Sequence, residues 1–343
     1  MNEWIERLLN WYRDNKRELP WRADRNPYHV WVSEIMLQQT RVDTVIPYYR
    51  RFLEALPDIH ALAQAPEEQL LKLWEGLGYY SRVRNMQKAA RQIESEFNGQ
   101  FPSDREALLS LAGIGPYVSG AVGSIAFNLP YPAVDGNVLR VWARLTANPS
   151  DIALPATRKK AELQVGEWMP AGRCGEFTQA MMELGACVCM PNGEPHCENC
   201  PVQEFCLANR TGQTRVLPIK SSAKARKIED RTILIIQCGT RYALRRRPTK
   251  GLLAGLWEFP SLEGQWTTDQ IKDRFRAELT EPPEPLGSAK HIFSHIEWHM
   301  IGFHLYVYDP TTIPDVQWFT VPEIREQLSV PTAFSAYYEK IIS

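Results

Sequence analysis

Two groupings of side chains in this 343-residue chain are of types that do chemistry. The first is a set of thiols. Cys189, Cys197, Cys200 and Cys206 are spaced C-x7-C-x2-C-x5-C. Thiolates two residues apart can chelate one ion, but zinc usually takes two such pairs. One close pair with two wider flanking ligands suits an iron–sulfur cluster better, because four thiolates must wrap a larger cubane. Zinc and free thiols are the other readings. Six of the 7 cysteines lie between Cys174 and Cys206, and the count is odd. That clustering points to a metal site in a reducing compartment and away from a disulfide framework. Cys174 and Cys187 are left over and read as small buried hydrophobes.

The second grouping is Leu111-Ala112-Gly113-Ile114-Gly115-Pro116-Tyr117, followed by Pro132-Ala133-Val134-Asp135-Gly136-Asn137. The first stretch reads as a hairpin between two helices. Gly113 and Gly115 can take conformations closed to residues with a Cβ, and Pro116 suits the first position of a new helix. Small residues there let backbone amides approach a phosphate, which the helix dipole also favours. Asp135 precedes a helical pattern, Val138, Leu139, Val141 and Trp142, and reads as its N-cap.

The elements that must position these groups fall into two regions. From the N-terminus to about Leu217 the pattern is almost wholly helical. Trp4, Ile5, Leu8, Leu9 and Tyr12 form one face of a first helix. Val30 to Gln38, Val42 to Leu56, Glu67 to Trp74, Ser81 to Phe97, Arg158 to Met169 and Gly175 to Ala186 read as further helices. Arg82, Arg84, Lys88 and Arg91 make a basic face that is expected to be solvated. Composition changes near Pro218. Residues 219–230, with Lys220, Lys224, Arg226 and Lys227, read as a linker. Beyond it the period switches to strands, at Arg231 to Cys238, Tyr242 to Arg247 and His299 to Tyr308. The first two are joined at Gly239-Thr240. Helices near Asp269 to Leu279 and Val321 to Leu328 complete an α+β domain. The expected domains are therefore 1–218, all-α, and 231–343, α+β.

Composition bounds the function. With 44% hydrophobic and 23% charged residues the chain reads as globular. No run of about 18 apolar residues exists, so no membrane span is expected. The start, Met1 to Arg7, is amphipathic and unlike a signal peptide. Net charge is -1, so any nucleic-acid contact must come from local basic patches and backbone amides.

In this order, the hairpin, Asp135 and the cysteine loop resemble the helix-hairpin-helix DNA glycosylase superfamily, in the iron–sulfur branch that includes endonuclease III and the MutY adenine DNA glycosylases. Further features resemble MutY in particular. Val32-Ser33-Glu34-Ile35-Met36-Leu37-Gln38-Gln39-Thr40 looks like its catalytic helix and following turn. Tyr117 stands where endonuclease III carries a nucleophilic lysine. Gly251-Leu252-Leu253-Ala254-Gly255-Leu256-Trp257-Glu258-Phe259-Pro260 and Phe293-Ser294-His295 are similar to its C-terminal recognition domain. Two departures are an extra residue between Cys189 and Cys197 and Ala112 in place of the usual hairpin proline. The first bears on the conformation of the cluster loop, the second on hairpin rigidity.

The resemblance implies an all-α glycosylase domain with a [4Fe-4S] loop, plus a Nudix-like α+β domain. It implies base flipping and removal of adenine opposite 8-oxoguanine or guanine in duplex DNA, by a monomeric, monofunctional, cytoplasmic bacterial enzyme that leaves an abasic site. The leaving base must be protonated, and the sugar cation left behind needs a nearby negative charge. Glu34, beside Trp31, Ile35 and Leu37, has apolar surroundings that raise a carboxyl pKa; the family assigns it the proton. Asp135 is assigned the cation, with Tyr117 and Asn137 assisting. Trp21, Arg22, Leu37 and Gln179 are expected around the adenine. Gln39, Thr40, Leu77, Gly78 and Tyr79 are expected to grip the strand and fill the stack, Tyr79 as an intercalated wedge. Gly113 and Gly115 are expected to hold a phosphate, with a monovalent cation completing the turn. Phe293, Ser294 and His295 are expected to read the oxidised purine. Cys189, Cys197, Cys200 and Cys206 are the expected cluster ligands. No Nudix catalytic sequence is present, so pyrophosphate hydrolysis is not expected. The rival readings are another glycosylase of the same branch and a non-catalytic DNA-binding protein of the same fold.

Overall fold

The computed structural model describes residues 2–191, 193–221 and 225–342. In chain order its helices are α1 (Glu3–Asn15), α2 (Pro27–Leu37), α3 (Val42–Ala55), α4 (Ile59–Gln64), α5 (Glu67–Leu73), α6 (Ser81–Phe97), α7 (Arg105–Ser110), α8 (Pro116–Ile125), α9 (Gly136–Leu145), α10 (Pro155–Trp168), α11 (Cys174–Cys187) and α12 (Leu207–Arg210). The strands that follow are β1 (Lys227–Cys238), β2 (Arg241–Arg246), β3 (Trp257–Glu258), β4 (Ser261–Glu263), β5 (Glu284–Ile292), β6 (Ile296–Tyr306) and β7 (Gln317–Thr320). With them come α13 (Thr268–Arg274), α14 (Val321–Gln327) and α15 (Ser335–Ile342). None of the described helices is long and apolar enough to cross a membrane.

The chain forms two compact units, and their division is not a single cut. Residues 1–65 and 82–222 make the helical unit. Residues 66–81 leave it and group with 223–343. The segment carrying Leu77, Gly78 and Tyr79 therefore belongs to the second unit, which a boundary near 218 does not anticipate. The linker reading also changes. Lys227 to Asp230 already lie in β1, paired with β6, and Lys224, like Met1, lies outside the described residues.

In the helical unit, α2 is buried nearly all round, from Tyr28 through Met36 apart from His29. Asn26 caps its start by accepting from the Tyr28 amide at 2.9 Å, and Pro27 takes the first turn. Arg82 closes its other end, donating through Nη1 to the carbonyls of Ile35 at 2.6 Å and Gln38 at 2.8 Å. Arg91 likewise donates to the Ala63 carbonyl at 2.9 Å. Two members of the basic face of α6 thus satisfy helix-end carbonyls, instead of facing only water. The second core layer gathers Leu8, Leu9 and Tyr12 of α1, Trp142 of α9 and Phe177 of α11. Cys174 is buried as expected, but Cys187 is exposed, because it lies in the last turn of α11.

The hairpin has the expected form. Gly113 sits at φ 76°, in the left-handed region, and a Cβ there would lie 2.7 Å from that of Asn85. Gly115 is different: its φ of -96° is open to any residue. It caps α8, and the space where its Cβ would stand is empty. Asp135 caps α9, its Oδ1 accepting from the Val138 amide at 2.7 Å.

Among its described residues the second unit carries a seven-stranded sheet whose main order is β3-β2-β1-β6-β5, with β4 on β1 and β7 on β2. β1 and β6 run parallel from Lys227↔Ile296 to Gln237↔Tyr306, and the other pairs are antiparallel. Successive β1 residues feed opposite cores. Ile233 and Ile235 meet Phe259, Trp298 and Phe334; Leu234 and Ile236 meet Ile271, Phe303 and Leu305. Gly239-Thr240 forms the two-residue turn between β1 and β2. The α+β class is as expected, whereas β3, β4, β5 and β7 have no counterpart in the sequence pattern.

Close helix packing yields a test. A Cβ on Gly120 of α8 would stand 2.1 Å from the Pro132 carbonyl oxygen, a backbone atom that cannot swing away. Gly120→Ala gains about 1 kcal/mol of helix propensity, but overpacking costs about 1–3 kcal/mol or more. We expect a net loss of about 2 kcal/mol, read as a lower urea midpoint at unchanged m-value.

Candidate active site

Inside the helical unit a cavity of about 580 Å³ opens between α2, α8, α9, α11 and the segment before α2. Its walls bring together Trp21, Arg22, Glu34, Leu37, Gln39, Thr40, Tyr117, Asp135, Asn137 and Gln179. Ten of the expected residues, drawn from five stretches of sequence, share one recess. The volume lies in the range that encloses a small organic ligand or a nucleobase.

Glu34 stands on α2 and is 6% exposed. The Tyr117 hydroxyl, from the first turn of α8, donates to its Oε2. Burial pushes the Glu34 carboxyl up to about 7. The Tyr117 hydrogen bond and Arg22 oppose that shift, and the nearby Asp135 charge adds to it. Tyr117 is itself raised well above the usual phenol range by burial and by Glu34, so it stays a neutral donor. Asp135 is tied differently. Its Oδ1 takes the Val138 amide and its Oδ2 takes Asn137 Nδ2 at 2.8 Å. Burial raises its carboxyl also, while these donors and Arg140 pull it back. One acid is dry and accepts from a phenol. The other is held by an amide and a carboxamide that favour its charged form.

Asn137 is fixed in turn by Arg140, whose Nη2 donates to its Oδ1 at 2.8 Å. Gly185 of α11 lets Asn137 lie close, since a Cβ there would come within 2.6 Å of the Asn137 Cβ. Trp21 is buried and packs edge-on to Tyr49, ring centroids 5.5 Å apart. Gln179 donates Nε2 weakly to the Gly175 carbonyl at 3.3 Å, within its own helix. Sequence reasoning missed Glu183, Arg17 and Arg158, which also line the recess. Glu183 looked like one acid on an ordinary helix. Only its neighbours Met181 and Leu184, both buried, hinted that it faces inward.

The remaining expected residues lie elsewhere. Gly113 and Gly115 are in the hairpin and do not line the recess. The other group lies in the second unit. There Leu77 is buried, its amide bonded to the Trp74 carbonyl at 3.1 Å, and Gly78 accepts from Trp74 Nε1 at 3.1 Å. Tyr79, 45% exposed, places its hydroxyl 3.0 Å from Ser294 Oγ. Phe293 is anchored on Trp298 and His291, centroids 4.9 and 4.5 Å away. Ser294 and His295 are exposed.

Cys189, Cys197, Cys200 and Cys206 line one small recess together with Arg144. Arg144 is buried and donates Nη1 to Cys189 Sγ at 3.1 Å. Burial pushes the Cys200 thiol up to about 12, with the other three cysteines adding. Four sulfurs around one void, beside a buried cation, are a donor set that fits a thiolate-bound anionic centre. Among the described residues no group of three or more His, Cys, Asp or Glu is arranged to hold a metal ion.

Comparison with known proteins covers both units. Residues 32–171 match the family described as HhH-GPD superfamily base excision DNA repair protein, and residues 231–340 match the NUDIX domain. An adenine DNA glycosylase from Rattus norvegicus is 35% identical over 96% of this chain and 76% of its own length. One from Buchnera aphidicola (subsp. Schizaphis graminum) is 32% identical over 86% of this chain and 85% of its own. Among solved structures, a thermostable thymine-DNA glycosylase aligns with TM-score 0.55 and 26% identity, covering 60% of this chain and 95% of that one. A trapped endonuclease III–DNA covalent intermediate gives 0.51 and 25%, over 61% and 94%. Those structures match little more than half of the chain, whereas the curated relatives extend across nearly all of it: the chain belongs to the adenine DNA glycosylase family.

Proposed function

We propose that this protein hydrolyses the N-glycosidic bond of adenine paired with 8-oxoguanine or guanine in duplex DNA and leaves an abasic site. The observation that carries the reading is the meeting of Glu34 and Asp135 in one nucleobase-sized recess. The extruded adenine occupies that recess, against Trp21, Arg22, Leu37 and Gln179. Glu34 gives its proton to adenine N7. The N9–C1′ bond breaks, and its electron pair leaves with the neutralised base. The oxocarbenium ion left at C1′ faces the Asp135 carboxylate, while Asn137 and Tyr117 hold the two acids in place. Water then adds to C1′, and the Glu34 carboxylate takes its proton, restoring the starting state.

The chemistry is assigned to 1–218 and the reading of the opposing base to 231–343, with Tyr79 joining the latter as the wedge. Ser294 and Tyr79 offer hydroxyls that can donate or accept at a purine edge, and Phe293 and His295 flank them. Gln39, Thr40, Gly113 and Gly115 serve the phosphate backbone, a monovalent cation completing the hairpin. Cys189, Cys197, Cys200 and Cys206 would hold a [4Fe-4S] cluster, as the family commonly does, with Arg144 offsetting its charge. When bound, the cluster supplies a rigid staple for the loop after α11. The second-unit sheet is assigned no pyrophosphate chemistry.

One duplex with a central adenine opposite 8-oxoguanine tests the whole reading. Incubation and then alkali should break the adenine strand at that base; an intact strand would sink it. Asp135→Asn should slow single-turnover excision about a hundredfold, or about 3 kcal/mol. The pH profile follows from Glu34. Its proton is the reactive species and its carboxyl lies near 7, so the rate should fall as pH rises through that value. A flat profile across neutrality would remove Glu34 from the role. Tyr117 offers no amine, so borohydride should trap no hairpin-dependent covalent complex.

A further inference from the structure

The adenine recess holds an electrostatic conflict. Arg17, Arg22 and Arg158 are all in its wall. The base it is read as binding becomes a cation on the way to release, and guanidinium groups beside it oppose that change. Three cations would also strip the proton from Glu34. Arg22 already acts to lower the Glu34 carboxyl.

Glu183 answers the conflict. It projects from α11 with 1% of its side chain exposed and is ringed by donors from the segment before α2. Oε1 accepts from the Arg17 amide at 3.0 Å and Arg17 Nε at 2.7 Å. Oε2 accepts from Arg17 Nη2 at 2.9 Å and Arg22 Nη2 at 2.7 Å. Arg22 is locked further, its Nη1 on the Arg17 carbonyl at 2.9 Å and its guanidinium over the Tyr12 ring at 5.5 Å. The Cys187 thiol lies 3.7 Å from Oε1. Burial works to raise the Glu183 carboxyl, and the Arg17 and Arg22 hydrogen bonds overturn that and leave it at about 2. It is an anion near neutral pH.

We propose that Glu183 is a positioning residue for adenine excision, one buried carboxylate that aims Arg17 and Arg22 and cancels part of their charge so that Glu34 keeps its proton. The inference rests on the adenine reading of the recess. With Glu34 protonated, the wall carries Arg17, Arg22 and Arg158 against Glu183 and Asp135, with Tyr117 neutral. Neutralising Glu183 leaves Asp135 alone against three cations.

The test is single-turnover excision by the full-length protein from the adenine:8-oxoguanine duplex, over the pH range in which Glu34 titrates. Glu183→Gln should lower the rate about tenfold or more and move the alkaline limb to lower pH by about half a unit or more. Arg22→Gln should move the same limb to higher pH, because it removes the charge that favours ionised Glu34. Glu183→Asp, which keeps the charge, should keep the limb in place. A slower Glu183→Gln with the wild-type limb would make Glu183 a merely structural residue and overturn the proposal. Should Glu183→Gln fail to fold, as judged by thermal unfolding, an unmoved limb in Arg22→Gln overturns it equally. Failure of the wild-type protein to release adenine would instead strike the glycosylase reading itself.

Discussion

A carboxyl group withheld from water is the constraint on which the site depends. Glu34 belongs to a helix with almost no exposed side, and that helix leaves solvation of the acid to one phenol. An ionised carboxylate in such a wall is unfavourable, so the group holds its proton to near neutrality. Desolvation of this kind is not local to Glu34. It requires Trp31 and Met36 to be fully buried behind it, Asn26 to start the helix and Arg82 to end it. Arg82 comes from α6, distant in sequence, and satisfies carbonyls that would otherwise demand water beside the recess.

Asp135 solves the opposite problem with the same functional group, a carboxyl. Its carboxylate has two masters, the amide at the start of α9 and Asn137. Both favour the anion, as does the positive end of the helix dipole. The N-cap role and the proposed chemical role are therefore not in competition. The hydrogen bonds that stop α9 from fraying are those that preserve negative charge in a buried place. Two acids in one recess can then differ in protonation because one meets a hydroxyl and the other meets amides.

How much of this is legible in the sequence depends on the range of the interaction. Helix α6 is visible residue for residue, because its signal is a local alternation of Val83, Met86, Ala90 and Ile93 with charge. The Asp135 cap and the Gly113 turn are visible for the same reason. The convergence of Glu34 with Asp135 is not a local property; the family resemblance implies it, and periodicity alone does not. Glu183 was invisible because its partners are 166 and 161 residues away. Near it in sequence only the apolar Met181 and Leu184 hint that it is buried. Strand β5 was missed because its burial pattern is mostly exposed, as suits an edge strand. The excursion of residues 66–81 was hidden for a related reason. It is fastened by contacts such as Lys72 Nζ on the Leu328 carbonyl at 2.9 Å and the Val330 amide on Glu75 at 2.9 Å, pairs more than two hundred residues apart.

Backbone strain is also held at two of the expected site residues. Among the described residues seven non-glycine residues have positive φ; Asn98, Asn128 and Asp315 are types that reach it cheaply, and Ala147 and Leu253 are not. Nor are Gln39 at 59° and Tyr79 at 47°. Each such residue costs about 1–2 kcal/mol and persists only where its surroundings overdetermine it. For Gln39 the surroundings are Arg82 on the preceding carbonyls and the Thr40 amide on Leu37 at 3.3 Å. For Tyr79 they are Gly78 at φ 68° before it, the Trp74 clamp on the Gly78 carbonyl, and Ser294. Neither turn needs its side chain to connect the helices, since a glycine would adopt the same backbone at lower cost. A glutamine that lines the recess and a tyrosine that meets Ser294, both held in a left-handed backbone, make sense where the side chain itself is used.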